Sequence, residues 1–383
     1  MLKYWVWLSE LKGLRNQTKL ALLRRFGDPE SIFYADPDEL MLTEGADPGQ
    51  LKLLENHDLA PADKILADCQ RLDIQLLTFS DAAGRLKNIY DPPALLYYKG
   101  KLPLLDDLLS VAVVGTRDCT PYGVACAEKL GFGLASGGAV VVSGLAKGID
   151  AAATRGALRA GGVTIGVAGN GLDVHYPYES RYLYEDVAAS CVLFSEYPPG
   201  TEPAPGHFPV RNRILSGLSL AALVVEAPER SGALITAMTA LEQGRDVFAV
   251  PGPIDAPTSV GCNRLIRDGA GLVTDASDIL REYEGRFTLD LKEAREEPET
   301  LGYQARAVPP TLDLAKSEVE LTDDQIAILK ALSDTEPMQV DDLTELVDIP
   351  TRRVLSALTV LEIDQYVVQH AGKHYTRAVT LTE

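Results

Sequence analysis

Between Ser110 and Gly252 the sequence repeats one plan: a run of four to six apolar residues, a loop carrying glycine, then a segment of helical composition. The run at Ser110 leads into Gly115-Thr116-Arg117 and a helix that starts near Pro121. The run Ala139–Val142 leads into Ser143-Gly144-Leu145-Ala146-Lys147-Gly148 and a helix carrying Ala151 to Ala160. Val163–Val167 leads into Gly169-Asn170-Gly171-Leu172-Asp173, and Leu220–Val225 leads through Glu226 and Ser231-Gly232 into the helical ALITAMTALEQG. Apolar runs this short, without polar alternation, are the pattern of strands covered on both faces. With further strands at Cys191–Phe194 and near Val247, the spacing predicts an α/β domain built on a doubly wound parallel sheet with helices on both faces.

That architecture says where chemistry belongs. Open α/β sheets bind ligands outside the carboxyl ends of their strands, where loops open into helices whose first N–H groups lack partners. Four cations fall in such loops: Arg117, Lys147, and Arg211 and Arg213 of the string FPVRNRILSGL, expected at the start of a short helix. Like charges gathered there repel one another unless an anion binds, although Asp150 and Glu226 could pair with some of them. The candidate anion site is therefore Gly115, Thr116, Arg117, Ser143, Gly144, Lys147, Arg211, Asn212, Arg213, Ser231 and Gly232. Tyr122, Tyr176, Tyr178 and Phe208 are candidate stacking faces, whereas Gly169 and Gly171 read as turn residues.

The loops match neither GxGxxG nor a Walker sequence, and no Ser-His-Asp order or carboxylate pair accompanies them. No catalytic residue, metal ligand or cofactor is expected. The five cysteines include no CxxC pair, which fits a reducing compartment. The apolar stretches at the N-terminus and at 134–146 are too short to span a bilayer, so the expected location is cytoplasmic, without membrane association. A net charge of −19 argues against a polyanionic partner, but residues 272–383 carry 23 acidic against 11 basic side chains, so most of the excess lies outside the candidate site.

The chain divides into a helical segment over 1–69, of sterile-alpha-motif or helix-hairpin-helix type, and the sheet domain over 70–283. A charged, proline-broken linker, partly disordered, is expected over 284–320, and a small module over 321–383. Residues 70–105 read as two strands bridging into the main sheet. The module's order, three helices and then a β-ribbon turning at Ala371-Gly372, is that of a winged helix. Arg352 and Arg353 on its third helix are the DNA-reading candidates. The module holds 11 acidic and 5 basic residues, which favours protein contact or self-docking over duplex binding. His370 and His374 of the ribbon are expected on different faces and are not read as a metal site.

The strings VAVVGTRDCTPYG, VVSGLAKGIDAAA, FPVRNRILSGLS, VVEAPERSGALITA and VFAVPGPIDAPTSVGCNRLIRDGA occur in unbroken order, and this part of the chain resembles the DprA (Smf) family of DNA-processing proteins of bacterial transformation. The resemblance implies an extended Rossmann domain that binds single-stranded DNA without catalysis, a homodimer, and loading of the RecA recombinase onto that DNA. It implies DNA contact by Arg117, Lys147 and the Arg211-Asn212-Arg213 block, with Ser231 and Gly232 in a phosphate loop. Thr116 stands where serine is common and Ser180 where asparagine is common. A phosphoribohydrolase-type nucleotide enzyme on a similar sheet is the alternative, but its PGGxGTxxE signature is absent, Pro251-Gly252-Pro253 continuing differently. A transcription factor reading duplex DNA is disfavoured by the acidic terminal module.

Overall fold

In the computed structural model the apolar runs form strands whose alternate residues face two separate helical layers: Val111 and Val113 pack into one core, Ala112 and Val114 into the other. The structure describes residues 1–291, 311–313, 321–333, 338–364, 366–370 and 374–382. It divides into two compact units, Met1–Arg306 and Ala307–Glu383.

The first unit opens with helices α1 (Leu2–Glu10), α2 (Asn16–Phe26), α3 (Pro29–Phe33), α4 (Pro37–Met41), α5 (Pro48–Leu51) and α6 (Ala60–Arg71). Asp28, Asp36 and Asp47 each precede a proline and cap α3, α4 and α5 by accepting a backbone N–H, so each Asp-Pro pair starts a helix. Then come β1 (Gln75–Thr78), α7 (Gly84–Lys87), β2 (Leu95–Gly100), β3 (Ser110–Val114), α8 (Pro121–Ser136), β4 (Val140–Ser143), α9 (Ile149–Arg159), β5 (Thr164–Ala168), α10 (Arg181–Ser190) and β6 (Val192–Ser195). The second half adds α11 (His207–Gly217), β7 (Ala221–Val224), α12 (Gly232–Glu242), β8 (Asp246–Ala249), α13 (Val260–Arg267), β9 (Gly271–Leu272) and α14 (Ala276–Leu280).

All nine strands join one sheet in the order β1-β2-β6-β5-β4-β3-β7-β8-β9. From β6 to β9 every pair is parallel, while β1 and β2 run antiparallel at the edge. The two strands expected to precede the sheet are therefore part of it. Tyr97 and Tyr98 point to opposite faces: Tyr97 donates to Glu10 Oε1 at 3.3 Å, under the N-terminal helices, and Tyr98 donates to Gln75 Oε1 at 2.7 Å.

The N-terminal helices share a core with the sheet, Tyr4, Trp7, Leu8 and Leu22 packing with Leu95, Tyr97 and Leu193. Burying each such side chain contributes about 1.5–3 kcal/mol toward the cost of ordering the helices on this face. Past Tyr283, Phe287, Leu289 and Leu291 still pack on the sheet domain's core, so the segment counted as linker begins with packed chain. Residues 292–310 and 314–320 of that segment, with their expected disorder, lie outside the described residues.

The second unit holds β10 (Thr311–Asp313), α15 (Asp323–Ala331), β11 (Met338–Gln339), α16 (Val340–Val347), α17 (Thr351–Ile363), β12 (Val367–His370), β13 (His374–Arg377) and β14 (Thr380–Thr382). Thr322 and Gln325 form a capping box at α15, and Ile328, Leu343, Val354, Leu358 and Leu361 make the core. Three helices followed by the antiparallel β12–β13 ribbon make a winged-helix arrangement. The turn expected at Ala371-Gly372 lies outside the described residues. The ribbon's register sets His370 directly opposite His374, a correction to the expectation that they lie on different faces.

Candidate nucleic-acid interface

Strand order decides where a ligand can sit. From β3 the chain steps outward through β4, β5 and β6, then returns to lay β7 on the other side of β3. The loops leaving β3 and β7 therefore diverge, and a cleft of about 420 Å³ opens between them. Gly115, Thr116, Arg117, Arg211, Asn212, Ser231 and Gly232 all line it. Arg117 and Arg211 also border a smaller slot with Gly144, Lys147, Tyr176 and Phe208. Residues as far apart in sequence as Arg117 and Gly232 thus meet, while Ser143 and Arg213 border neither space.

Two of the three expected anion cradles are filled by the protein's own carboxylates. Asp150, 6% exposed, accepts the Gly144 N–H at 3.1 Å and lies near the N–H groups of Gly115 and Ala146. Burial pushes its carboxyl up to about 6, against the opposing pull of Arg211 and these N–H groups. Glu226, expected as an ion-pair partner, is buried and accepts from the Thr120 N–H at 2.8 Å and the Thr120 hydroxyl at 2.9 Å. It neutralises the start of α8 instead of a cation, because a helix N-terminus carries partial positive charge. Its carbonyl accepts the Thr116 N–H at 2.8 Å and so ties the β3 loop to the β7 loop.

The third cradle stays open. Ser231 caps α12 by accepting the Ala233 N–H at 3.2 Å, and Gly232 beside it is exposed, with nothing within 4 Å of where a Cβ would stand. This helix start faces the cleft.

The four cations do not stand free together as expected. Arg211 lies in the second turn of α11, not at its start, and is 5% exposed. It donates Nη1 to the carbonyls of Gly144, at 2.8 Å, and Val167, and Nε to Asn212 Oδ1 at 3.1 Å. Arg213 donates Nε to Asp91 at 3.0 Å and Nη2 to both oxygens of Glu196 at 2.6 and 2.8 Å, fastening α11 toward the loop before β2. Ser143 is buried, its hydroxyl donating to the Asp150 carbonyl at 3.3 Å. An arginine's fork can satisfy several carbonyls at once, so a motif rich in arginine serves packing as readily as recognition. Sequence pattern does not separate the two.

Two exposed cations remain around the cleft without an ion pair among the described residues: Arg117, whose guanidinium lies 5.2 Å from the Phe208 ring centre, and Arg230. Arg230 escaped the sequence reading because it follows Glu229 and looks neutralised there; its place just before the cap of α12 was the available signal. Lys147 is exposed and pairs with exposed Asp118 at 2.8 Å, an arrangement that water readily competes with. Tyr176 and Phe208 lie with ring centres 5.5 Å apart at the slot. In the winged-helix unit Arg353 donates both Nε and Nη2 to Asp324, at 2.8 and 2.7 Å, so this DNA-reading candidate is held by a carboxylate. Among the described residues no cluster of three metal-ligating side chains occurs, and no helix is long and apolar enough to cross a membrane.

The family model for DNA recombination-mediator protein A matches residues 76–284, and that for the DprA winged helix domain matches residues 313–373. The DNA processing protein DprA of Streptococcus pneumoniae is 48% identical over 224 residues, 58% of this chain and 74% of that protein. Protein Smf of Synechocystis is 35% identical over 391 residues, 98% of each chain. The X-ray structure of S. pneumoniae DprA superposes with a TM-score of 0.66 at 40% identity, covering 74% of this chain and 99% of that one. The DNA processing protein A of Helicobacter pylori, described for its single-stranded DNA binding mode, superposes with a TM-score of 0.51 at 30% identity over 56% of this chain and 97% of its own. With one model spanning more than half of its length and a relative aligned nearly end to end, this chain belongs to the DNA recombination-mediator protein A family, whose members carry the names DprA and Smf.

Proposed function

We propose that this protein binds single-stranded DNA, without catalysis, in the cleft where the β3 and β7 loops part. The observation that carries the reading is the convergence of exposed Arg117, Arg230 and the open start of α12 on one space. Lys147 joins them by exchanging Asp118 for a phosphate. A flexible single strand bends its phosphates into such a cleft while its bases stack on Phe208, Tyr176 or the Arg117 guanidinium, which makes binding tight and tolerant of sequence. The relative from H. pylori supports the same ligand. As a DprA-type protein acting in the cytoplasm, the chain would work as a homodimer and load the RecA recombinase during natural transformation and recombination.

The test compares fluorescent oligo-dT with duplex DNA over a range of salt. Binding should favour the single strand and weaken steeply as salt rises. Arg117→Ala should weaken it about tenfold or more and make the log–log salt slope shallower by about 0.7, the contribution of one released counterion on a single strand. Equal binding by wild type and Arg117→Ala removes the proposed site. Release of free base from nucleoside monophosphates would replace the binding reading with an enzymatic one.

A further inference from the structure

Resting on the single-strand reading above, we infer that Arg211 and Asp150 are positioning residues, a buried brace that shapes the DNA-binding loops without touching the DNA. The observations are geometric. The Asp150 carboxylate accepts the Gly144 N–H of the loop after β4 at 3.1 Å, and the neighbouring Ile149 N–H donates to the Thr116 carbonyl in the loop after β3 at 3.3 Å. Arg211, reaching in from α11, donates to the Gly144 carbonyl of the second loop and to Val167 near the end of β5. Gly144 is held from both sides, its N–H by the aspartate and its carbonyl by the arginine. A Cβ there would stand 2.5 Å from the guanidinium, so any larger residue must push the arginine out of its place. The next glycine, Gly148, has φ +81° and its Cβ position lies 2.5 Å from the Thr116 carbonyl, which packs the second loop directly under the first.

The residues that carry exposed positive charge sit close along the chain to these fastened atoms. Arg117 directly follows Thr116, and Lys147 is three residues beyond Gly144. The brace thus sets the backbone from which the DNA-facing side chains project. With 5% of its surface exposed and its Nη1 and Nε occupied, Arg211 acts through those loops. An anion-binding site of fixed shape spares the ordering cost that a mobile loop incurs on binding.

The test uses the full chain and measures two things: oligo-dT affinity against salt, and amide hydrogen exchange of residues 143–148 without DNA. Arg211→Ala should weaken binding tenfold or more at every salt concentration and leave the log–log slope unchanged. Arg211→Lys should fail to rescue, since an ammonium keeps the charge but lacks the fork that spans Gly144 and Val167. Both variants, and Asp150→Asn, should raise exchange in 143–148 while β3 and β7 stay protected. A slope shallower by about 0.7 in Arg211→Ala, restored by Arg211→Lys, would mark Arg211 as a phosphate contact and overturn the inference. Unchanged exchange in 143–148 overturns it as well. If Arg211→Ala does not fold, Arg211→Lys and Asp150→Asn decide by the same two readouts. Loss of the single-strand reading shows differently, as indifference of binding to Arg117→Ala, and the exchange data still report on the brace.

Discussion

Lys147 Nζ lies 2.8 Å from Asp118 Oδ1 at the mouth of the smaller slot, with both side chains more than half exposed. The pair lies between the loops after β3 and β4, and the lysine holds the Asp118 carboxyl below the usual carboxylate range. A DNA phosphate entering here must displace Asp118 and also meets its negative charge.

Asp118→Asn should therefore bind oligo-dT roughly two- to fivefold more tightly than wild type at low salt, with the gain fading as salt rises. Fluorescence anisotropy at two ionic strengths measures it. Weaker binding by the variant would mean that Asp118 orients Lys147 toward the DNA.

Arg230→Ala should weaken oligo-dT binding severalfold and make the salt slope shallower by about 0.7, as for one phosphate contact. Glu229→Ala, altering the neighbouring exposed carboxylate, should do the opposite or nothing. Identical slopes for wild type and Arg230→Ala would take the arginine out of the interface.

Arg213→Ala should destabilise the first unit and not act on DNA directly. The side chain is 13% exposed and bridges Asp91 and Glu196, so its loss strips Glu196 of this ion pair and leaves Asp91 with the Asn16 amide, at a cost of roughly 1–3 kcal/mol. Chemical denaturation should show a lower midpoint, while the salt slope of DNA binding by the folded fraction stays that of wild type. A normal midpoint with a shallower slope would restore Arg213 to the interface.

Asp150 makes stability depend on pH with a definite sign. Its carboxyl is raised to about 6 in the folded protein, so in the window between the ordinary value near 4 and 6 the native state binds more protons than the unfolded chain. The contribution of this group is fully present below pH ~4 and is lost as pH rises through 6. Denaturation from pH 4 to 7 should thus show wild type losing stability relative to Asp150→Asn, by on the order of 3 kcal/mol in total. A difference that does not vary with pH would place the carboxyl at its ordinary value.

Much of the fold was legible because burial on both faces leaves a plain mark: Val111, Val141, Ala222 and Leu223 lie in uninterrupted apolar runs, and such runs pair in parallel inside a helical sandwich. The edge hairpin was harder. Leu95 to Gly100 reads as extended from its residues, but its pairing with β6, some ninety positions on, has no local signal. The packing of 287–291 was hidden for a related reason, since a few apolar residues in charged surroundings look like linker until the groove beneath them is known.

The site divides along the same line. Arg117 and Lys147 follow from loop position alone, because side chains just beyond parallel strands must emerge at the ligand-binding edge. For Arg211, Arg213, Asp150 and Glu226 the residue type records a charge without its partner. Whether a guanidinium meets solvent or a carbonyl, and whether a carboxylate fills the cradle meant for a phosphate, depends on which distant loops the strand order brings within hydrogen-bonding distance. Local pattern governs the strands and the edge where chemistry happens; the crossing of the chain from β6 back to β7 governs which charges remain free there, because only contacts distant in sequence can neutralise them.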